Sequence, residues 1–350
     1  MPLSEPFLIY GATGYTGRLL ARMARERGLR PVLSARNEPR LAALATELGL
    51  EYRVAHLESG LDEALRDMRA VVHAAGPFGA TWRPMVEACL RAGCHYLDLS
   101  GEWAAIEGVR QYDREARARG VMLMPATGFD VVPSDCLALH VARRLPGARR
   151  LRLAVSGLDL ISRGSVKTLV EFAGQELRVR RNGELLGLPP GSLQRAFDFG
   201  AGLRPCLALS WADLSTAWYT TGIPDIEVYY EANPLLRMNL AANQWLGGLL
   251  GSSAGRAWLE LFTQNLPEGP AEAERVGRHG HVVAEVEDGV GRSARGRLRT
   301  PEAYHFTCVT SLAITERVLA GDVEPGFQTP ARVYGPDFVL TLPGVTREDF

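Results

Sequence analysis

Phe7-Leu8-Ile9-Tyr10-Gly11-Ala12-Thr13-Gly14-Tyr15-Thr16-Gly17 is the stretch that decides the fold. Phe7 to Tyr10 form an apolar run of strand length, and Gly11, Gly14 and Gly17 follow where a side chain would stand in the way of a tight turn. Arg18 to Arg27 then carries strong helix formers, with Leu19, Leu20 and Met23 on an apolar face. Glycines between a strand and a helix N-terminus place free backbone N–H groups and the positive end of the helix dipole where a phosphate binds. The spacing is G-x-x-G-x-x-G rather than G-x-G-x-x-G. Gly11 is assigned to the tight turn, Gly14 to the approach of a pyrophosphate and Gly17 to packing of helix on strand, with Thr13, Tyr15 and Thr16 lining the same turn. A glycine-rich turn can also be purely structural, but the strand before it and the helix after it agree on a dinucleotide site.

The next strand, Pro31 to Arg36, ends where an Asp or Glu would hold the ribose 2′-hydroxyl of NAD. Ser34 and Arg36 stand there instead, with Arg40 one helical turn on. A guanidinium suits a 2′-phosphate, so NADP(H) is the expected cofactor. Helices over Pro39–Leu48 and Leu61–Met68 alternate with strands at Glu51–Ala55 and in Ala70-Val-Val-His-Ala-Ala-Gly-Pro-Phe78. In that last strand the end residues Ala75, Gly76, Pro77 and Phe78 bring backbone to the carboxyl edge of the sheet and complete the expected cofactor-binding set. Helix Trp82–Ala92, strand His95–Glu102, helix Glu107–Arg119 and the segment Val121–Asp135 close the series. Six strands separated by helices predict an α/β Rossmann domain over residues 1–133, a doubly wound parallel sheet with ligands outside the strands' carboxyl ends.

Past Pro133 the pattern changes. After a helix over about Ser134–Leu145 come a strand from Leu151, a helix over Ser165–Ala173, a hairpin over Leu177–Leu186 turning at Asn182-Gly183, and strands at Ala208–Tyr219 and Asp225–Tyr230. A second hairpin turns at Asp288-Gly289 and a helix spans Thr310–Leu319. These predict a second, α+β domain over residues 134–303, for substrate and dimer contacts, built on a largely antiparallel sheet. Two apolar helices, Asn239–Leu250 with Trp245 and Ala254–Leu266 with Trp258, suit a substrate pocket, a homodimer contact or a membrane surface; ordinary core packing is the plain alternative.

Composition narrows the function classes. The 350 residues carry 39 basic and 40 acidic side chains, which argues against a nucleic-acid partner and against an electrostatic membrane contact. No run of 18 apolar residues predicts a transmembrane helix, and no leader is expected before the first strand. Cys89, Cys94, Cys136, Cys206 and Cys308 form no C-x-x-C pair, so reduced thiols and a cytoplasmic location are expected. Lys167 is the sole lysine, retained either for a compact, tunable ammonium or by chance on a solvated face.

GATGYTGR, HAAGPF, HYLDLSGE, TGFDVVPSD, TPEAYHFTCVTSLAITERVLAG and GFQTPARVYGPDFV together resemble the saccharopine dehydrogenase-like oxidoreductases, including the trans-acting enoyl reductases. The resemblance implies an NADP(H)-binding first domain, a second domain that supplies the substrate site, and a C-terminal segment, residues 304–350, packing back onto the nucleotide domain. It does not imply saccharopine itself as substrate. Several carboxylates would call for clustered cations, and although Arg163, Arg178, Arg180, Arg181 and Arg204 are available, the hairpin arginines alternate as a solvated face does.

Hydride transfer asks the protein to place the nicotinamide and to complete the reaction with a proton. No Y-x-x-x-K pair is present, so the short-chain dehydrogenase mechanism is excluded. No metal-ligand spacing appears, His279 and His281 reading as a solvated strand edge, and no nucleophile elbow supports a hydrolase. The candidate proton donors are Ser100, Glu102 and Asp130 at the carboxyl edge, with Lys167 and Tyr304 from the rest of the chain; Asp130 has the alternative of capping backbone N–H groups in its own turn. Three readings follow: an NADPH-dependent reductase of a C=C, C=N or C=O bond in a mid-sized, lipid-like small molecule; a saccharopine-type amino-acid dehydrogenase; and a non-catalytic NADP(H)-sensing interaction protein.

Overall fold

The computed structural model describes residues 5–158, 160, 162–164, 166, 175–234, 236–237 and 267–350. The chain divides into two compact units, Met1–Val132 with Tyr304–Tyr334, and Pro133–Ala303 with Gly335–Phe350.

In the first unit, strands and helices alternate: β1 Phe7–Tyr10, α1 Tyr15–Glu26, β2 Val32–Ala35, α2 Glu38–Leu48, β3 Tyr52–Val54, α3 Leu61–Ala64, β4 Ala70–His73, α4 Phe78–Ala92, β5 His95–Asp98, α5 Trp103–Arg110, α6 Asp113–Ala118 and β6 Met122–Met124. β1, β2, β4, β5 and β6 are buried along their whole length, as parallel strands covered on both faces must be. That is why β1 and β6 read as unbroken apolar runs, and why Ser34, His73, His95 and Asp98 in the other three are buried polar groups. Each fully buried leucine or isoleucine in them, such as Leu8, Ile9 and Leu33, contributes about 1.5–3 kcal/mol. Local signals set the helix ends: Asn37 caps α2 by accepting from the Arg40 N–H at 3.0 Å, and Gly49 ends it in the left-handed region.

The second unit opens with α7 Val132–Arg144, whose first residue belongs to the first unit, and continues through β7 Arg150–Ser156, β8 Leu177–Arg181, β9 Glu184–Leu188, β10 Gln194–Asp198, β11 Leu203–Ala208, α8 Asp213–Thr221, β12 Asp225–Glu231, α9 Glu272–Arg275, β13 His279–Glu287 and β14 Ser293–Pro301. The chain then returns to the first unit with α10 Ala303–Leu319, β15 Gly326–Phe327 and α11 Pro330–Tyr334, and ends in the second with β16 Thr346–Asp349. The tail expected to pack as one piece is thus shared, residues 304–334 with one unit and 335–350 with the other.

The first sheet runs β15-β6-β5-β4-β1-β2-β3, every described pair parallel. Its seventh strand, β15, comes from the C-terminal segment and covers the edge of β6. The second sheet runs β10-β11-β12-β7-β13-β14-β16, with β8 on β12 and β9 on β8; β12 and β7 are parallel and the other pairs antiparallel. One of its faces packs Val179, Phe197, Tyr229 and Val283 into a core.

Three expectations for this unit are corrected. Ala208–Tyr219 is not a strand: β11 stops at Ala208 and α8 follows, burying Leu214, Thr216 and Ala217 and ending at Gly222. Arg180 is not on a solvated face; it is 5% exposed, donates to the carbonyls of Leu214 and Gly183 at 2.7 and 2.6 Å, and lies over the Trp218 ring. His279 and His281 are on β13, an interior strand, paired with residues of β14 and, for His281, with Ser156 of β7. Lys167 and the segments carrying Trp245 and Trp258 lie outside the described residues.

Candidate functional site

The glycine turn joins β1 to α1 at the carboxyl edge of the first sheet. Gly11 has φ +85°, and a Cβ there would come within 2.8 Å of the Ala75 nitrogen, so the conformation and the approach of the β4 turn both require glycine. The Gly11 and Ala12 N–H groups donate to the Ser34 carbonyl at 2.8 and 3.1 Å, tying the turn to β2. A Cβ on Gly17 would collide with the Gly11 carbonyl oxygen, so α1 sits on the turn only because residue 17 has no side chain. Gly14 is the N-cap of α1; it is exposed, offers no side-chain cap, and the first helical turn holds no acid. First-turn N–H groups have no intrahelical acceptor, and with no carboxylate competing for them they suit a pyrophosphate. Thr13 accepts Arg18 Nη1 on its carbonyl at 2.8 Å, while the side chains of Tyr15 and Thr16 are half-buried at the helix start.

Ser34 and Arg36 separate in role. Ser34 is fully buried and its hydroxyl has no hydrogen-bond partner among the described residues, so its contribution is the carbonyl that anchors the glycine turn. Arg36 is exposed just past β2 and forms no ion pair among the described residues. A free guanidinium with no acid at the strand end fits the 2′-phosphate of NADP(H), and with the open helix start the donor set suits that cofactor.

Ala75, Gly76, Pro77 and Phe78 form the turn from β4 into α4, against the Gly11 side of the site. Two side chains hold it: Thr81, which the motifs did not single out, and Glu102, one of the candidate proton donors. The Thr81 hydroxyl donates to the Ala75 carbonyl at 2.8 Å and lies 3.0 Å from His73 Nε2. Since the hydroxyl proton is spent on that carbonyl, Nε2 donates to Thr81. Burial pushes the His73 pKa down to about 3, so the imidazole is neutral at working pH. From the other side Glu102 accepts the Phe78 and Gly79 N–H groups at 2.8 and 2.5 Å, capping α4, whose own N-cap Pro77 has no capping side chain.

That capping engages both carboxylate oxygens of Glu102 as acceptors. Ser100, fully buried, receives the Glu102 N–H at 3.1 Å and gives its own N–H to Asp98 at 2.8 Å. Asp98, a residue the sequence reading passed over, anchors this corner: Tyr96 donates to it at 2.6 Å and the Ala126 N–H at 2.7 Å. Burial raises its pKa to about 6 against the pull of these donors. The Tyr96-x-Asp98 spacing, which puts both side chains on one face of β5, was the available signal.

Asp130 is different. It stands in the loop after β6, half-buried, and its carboxyl has no hydrogen bond or ion pair among the described residues. The alternative of capping its own turn is not realised: the Val131 and Val132 N–H groups donate to the Gly128 carbonyl instead. Burial alone lifts its pKa to about 7. Tyr304, at the start of α10, meets the Tyr15 ring edge-on at 5.1 Å, so the C-terminal segment reaches the glycine turn. Of the five candidate proton donors, Ser100 and Glu102 are thus bound into backbone support, Asp130 and Tyr304 stand at the carboxyl edge, and Lys167 is outside the described residues. Among the described residues no group of three or more His, Cys, Asp or Glu side chains is placed to hold a metal ion.

Comparison with known proteins agrees with this geometry. Residues 7–124 match the family model described as the saccharopine dehydrogenase NADP-binding domain. The chain is 31% identical over 181 residues to a trans-acting enoyl reductase of Mycobacterium ulcerans, covering 47% of this chain and 43% of the relative. It is 29% identical over 144 residues to a lipid droplet localized protein of Caenorhabditis elegans, covering 37% and 34%. The chain thus spans less than half the length of these curated relatives. Among solved structures, apo saccharopine dehydrogenase (L-Glu forming) of Saccharomyces cerevisiae superposes with a TM-score of 0.65 over 99% of this chain and 100% of that one, at 13% identity, a likeness of fold. Residues 7–124 match a saccharopine dehydrogenase NADP-binding domain, and the chain as a whole shares the fold of saccharopine dehydrogenase.

Proposed function

We propose that the chain is an NADP(H)-dependent oxidoreductase that reduces a C=C bond of a mid-sized, weakly polar small molecule, with Asp130 as the group that supplies the proton. When bound, NADPH supplies a hydride. The open start of α1 and Gly14 hold the pyrophosphate, Arg36 holds the 2′-phosphate, and the Ala75–Phe78 turn, fixed by Thr81 and Glu102, shapes the wall beside it. One carbon of the double bond gains the hydride and the other gains the Asp130 proton, which the carboxylate then recovers from water.

The observation that carries this reading is the Asp130 carboxyl: at the carboxyl edge, without a partner among the described residues, and protonated to a useful fraction near neutral pH because of burial. The names of the enoyl reductase relatives favour C=C over C=N or C=O reduction. A substrate with several carboxylates fits less well, because four of its five candidate arginines are already engaged: Arg178 with Glu176, Arg180 with backbone carbonyls, Arg181 with Glu227 and Arg204 with Glu231. Among the described residues no helix is long and apolar enough to cross a membrane, and the five cysteines are free and buried, which suits a reducing cytoplasm.

The test is titration with NADPH and NADH followed by tryptophan quenching, then turnover of an enoyl-thioester panel. Arg36→Ala is expected to weaken NADPH binding about tenfold or more while leaving NADH unchanged. Asp130→Asn is expected to keep NADPH affinity and lose turnover. Binding without turnover on enoyl, carbonyl or imino acceptors would favour the sensing protein instead.

A further inference from the structure

The loop that carries Asp130 is not self-supporting. It leaves β6 as Pro125-Ala-Thr-Gly-Phe-Asp130, with Ala126 at φ +60°, and its contacts come largely from a helix almost two hundred residues later in sequence. The Phe129 N–H donates to the Thr307 hydroxyl at 3.1 Å. A Cβ on Gly128 would lie 3.0 Å from the Thr307 methyl, so this side chain fills the space that glycine leaves. The Thr127 hydroxyl, which donates to the Asp98 carbonyl at 2.9 Å, meets the Ser311 hydroxyl at 3.2 Å, and the Phe129 and Phe306 rings pack edge to face at 6.5 Å. Tyr304, Thr307 and Ser311 are spaced by three and four, so one face of α10 presents all three. Tyr304 goes to Tyr15, and the other two go to the Asp130 loop.

We propose that Thr307 is a positioning residue: its hydroxyl and methyl, held on α10, fix the backbone of Gly128 and Phe129 and so set where the Asp130 carboxyl points and how far water reaches it. The proposal rests on the reading of Asp130 as proton donor. No charged side chain among the described residues contributes to the Asp130 shift, and Phe306, Thr307 and Ser311 on α10 are uncharged. The shift therefore comes from burial of the carboxyl, which the placement of its loop sets. A hydroxyl at position 307 serves both the acceptor role and, in threonine, the packing role; valine keeps only the packing.

The experiment uses the full chain with NADPH bound, comparing wild type, Thr307→Val and Thr307→Ser. Two readouts are taken: hydrogen exchange of the Phe129 amide, and titration of the Asp130 carboxyl by NMR of carbon-13-labelled aspartate, assigned with Asp130→Asn. Thr307→Val is expected to speed Phe129 exchange about tenfold, as for loss of one buried hydrogen bond, and to move the Asp130 titration down toward the ordinary carboxylate range. Thr307→Ser, which keeps the hydroxyl and loses the methyl, is expected to fall between wild type and Thr307→Val, and NADPH affinity to change less than twofold in both. Unchanged exchange in Thr307→Val overturns the proposal, as does faster exchange with an unmoved Asp130 titration. Should Thr307→Val not fold, Gly128→Ala, which presses on the same methyl, takes its place with the same expected outcomes. A wild-type Asp130 that titrates near 4 removes the proton-donor reading, while the Phe129 exchange still decides whether Thr307 holds the loop.

Discussion

At the scale of single residues, burial sorts the ionisable groups of the nucleotide unit into two kinds. Asp130, with a pKa lifted to about 7, holds its proton more tightly folded than unfolded. Its contribution to stability is therefore fully present below pH ~4 and lost as pH rises through about 7. Asp130→Asn, neutral throughout, is expected to melt a few degrees higher than wild type at pH 8, by ~2–4 °C, and to show little difference at pH 4; thermal unfolding at the two pH values measures this. His73 and His95 have the opposite sign. Burial pushes them down to about 3 and about 4, the Arg69 charge adding to the effect on His95, whose Nδ1 accepts the Met122 N–H at 3.0 Å. Their neutral forms favour folding above pH ~6.5, and that contribution is lost as pH falls through the interval down to 3. Urea midpoints read between pH 7 and pH 4 are expected to drop, and less so in His73→Gln.

At the scale of elements, what holds a turn in place often lies on a different element. The start of α4 is capped by Glu102, which begins the next helix but one strand away. Glu102→Ala leaves the Phe78 and Gly79 N–H groups without that acceptor and is expected to cost ~1–3 kcal/mol in urea unfolding, with weaker NADPH binding because the Ala75–Phe78 turn loosens. Gly17→Ala is expected to do more damage to binding, since the new methyl meets the Gly11 carbonyl and lifts α1 from the turn. These elements also show what was legible in the sequence. The central strand β1 was readable because burial on both faces leaves an apolar run, and the glycine turn because its spacing has a steric cause; β15, two residues long, was not read as a strand at all. Ala208–Tyr219 was misread as a strand because its aromatic and threonine residues favour strands, whereas packing of Leu214 and Ala217 made Asp213–Thr221 a helix. β10 and β16, four or five residues with mixed polarity, carry no period strong enough to announce themselves. In the site, the glycines of the turn could be named from spacing; Thr307 could not, because it acts on the Phe129 backbone from 178 residues away, and Thr81, only six residues from the Ala75 carbonyl that it holds, sits in no motif that marks it.

At the scale of the molecule, neither unit is one continuous piece of chain. The first sheet takes β15 from the C-terminal segment, held there by Asp113, which accepts the Phe327 N–H at 2.8 Å, and α10 supplies Tyr304, Thr307 and Ser311. A protein ending at Ala303 would expose the edge of β6 and the apolar face beneath α10, including Phe306's neighbour Phe129. It is expected to aggregate rather than bind NADPH, and size-exclusion chromatography with light scattering distinguishes the two outcomes.

The same connectivity has a consequence in time. β6 ends at residue 124 and its last partner strand ends at residue 327, so a ribosome adding about 5–20 residues each second finishes the partner some ~10–40 s after β6. Through that interval the nascent nucleotide unit carries an unpaired strand edge. Yield in a foreign host is accordingly tied to translation speed and to the supply of chaperones that shield such an edge, and slower growth temperature with extra chaperone should raise the soluble fraction of this chain.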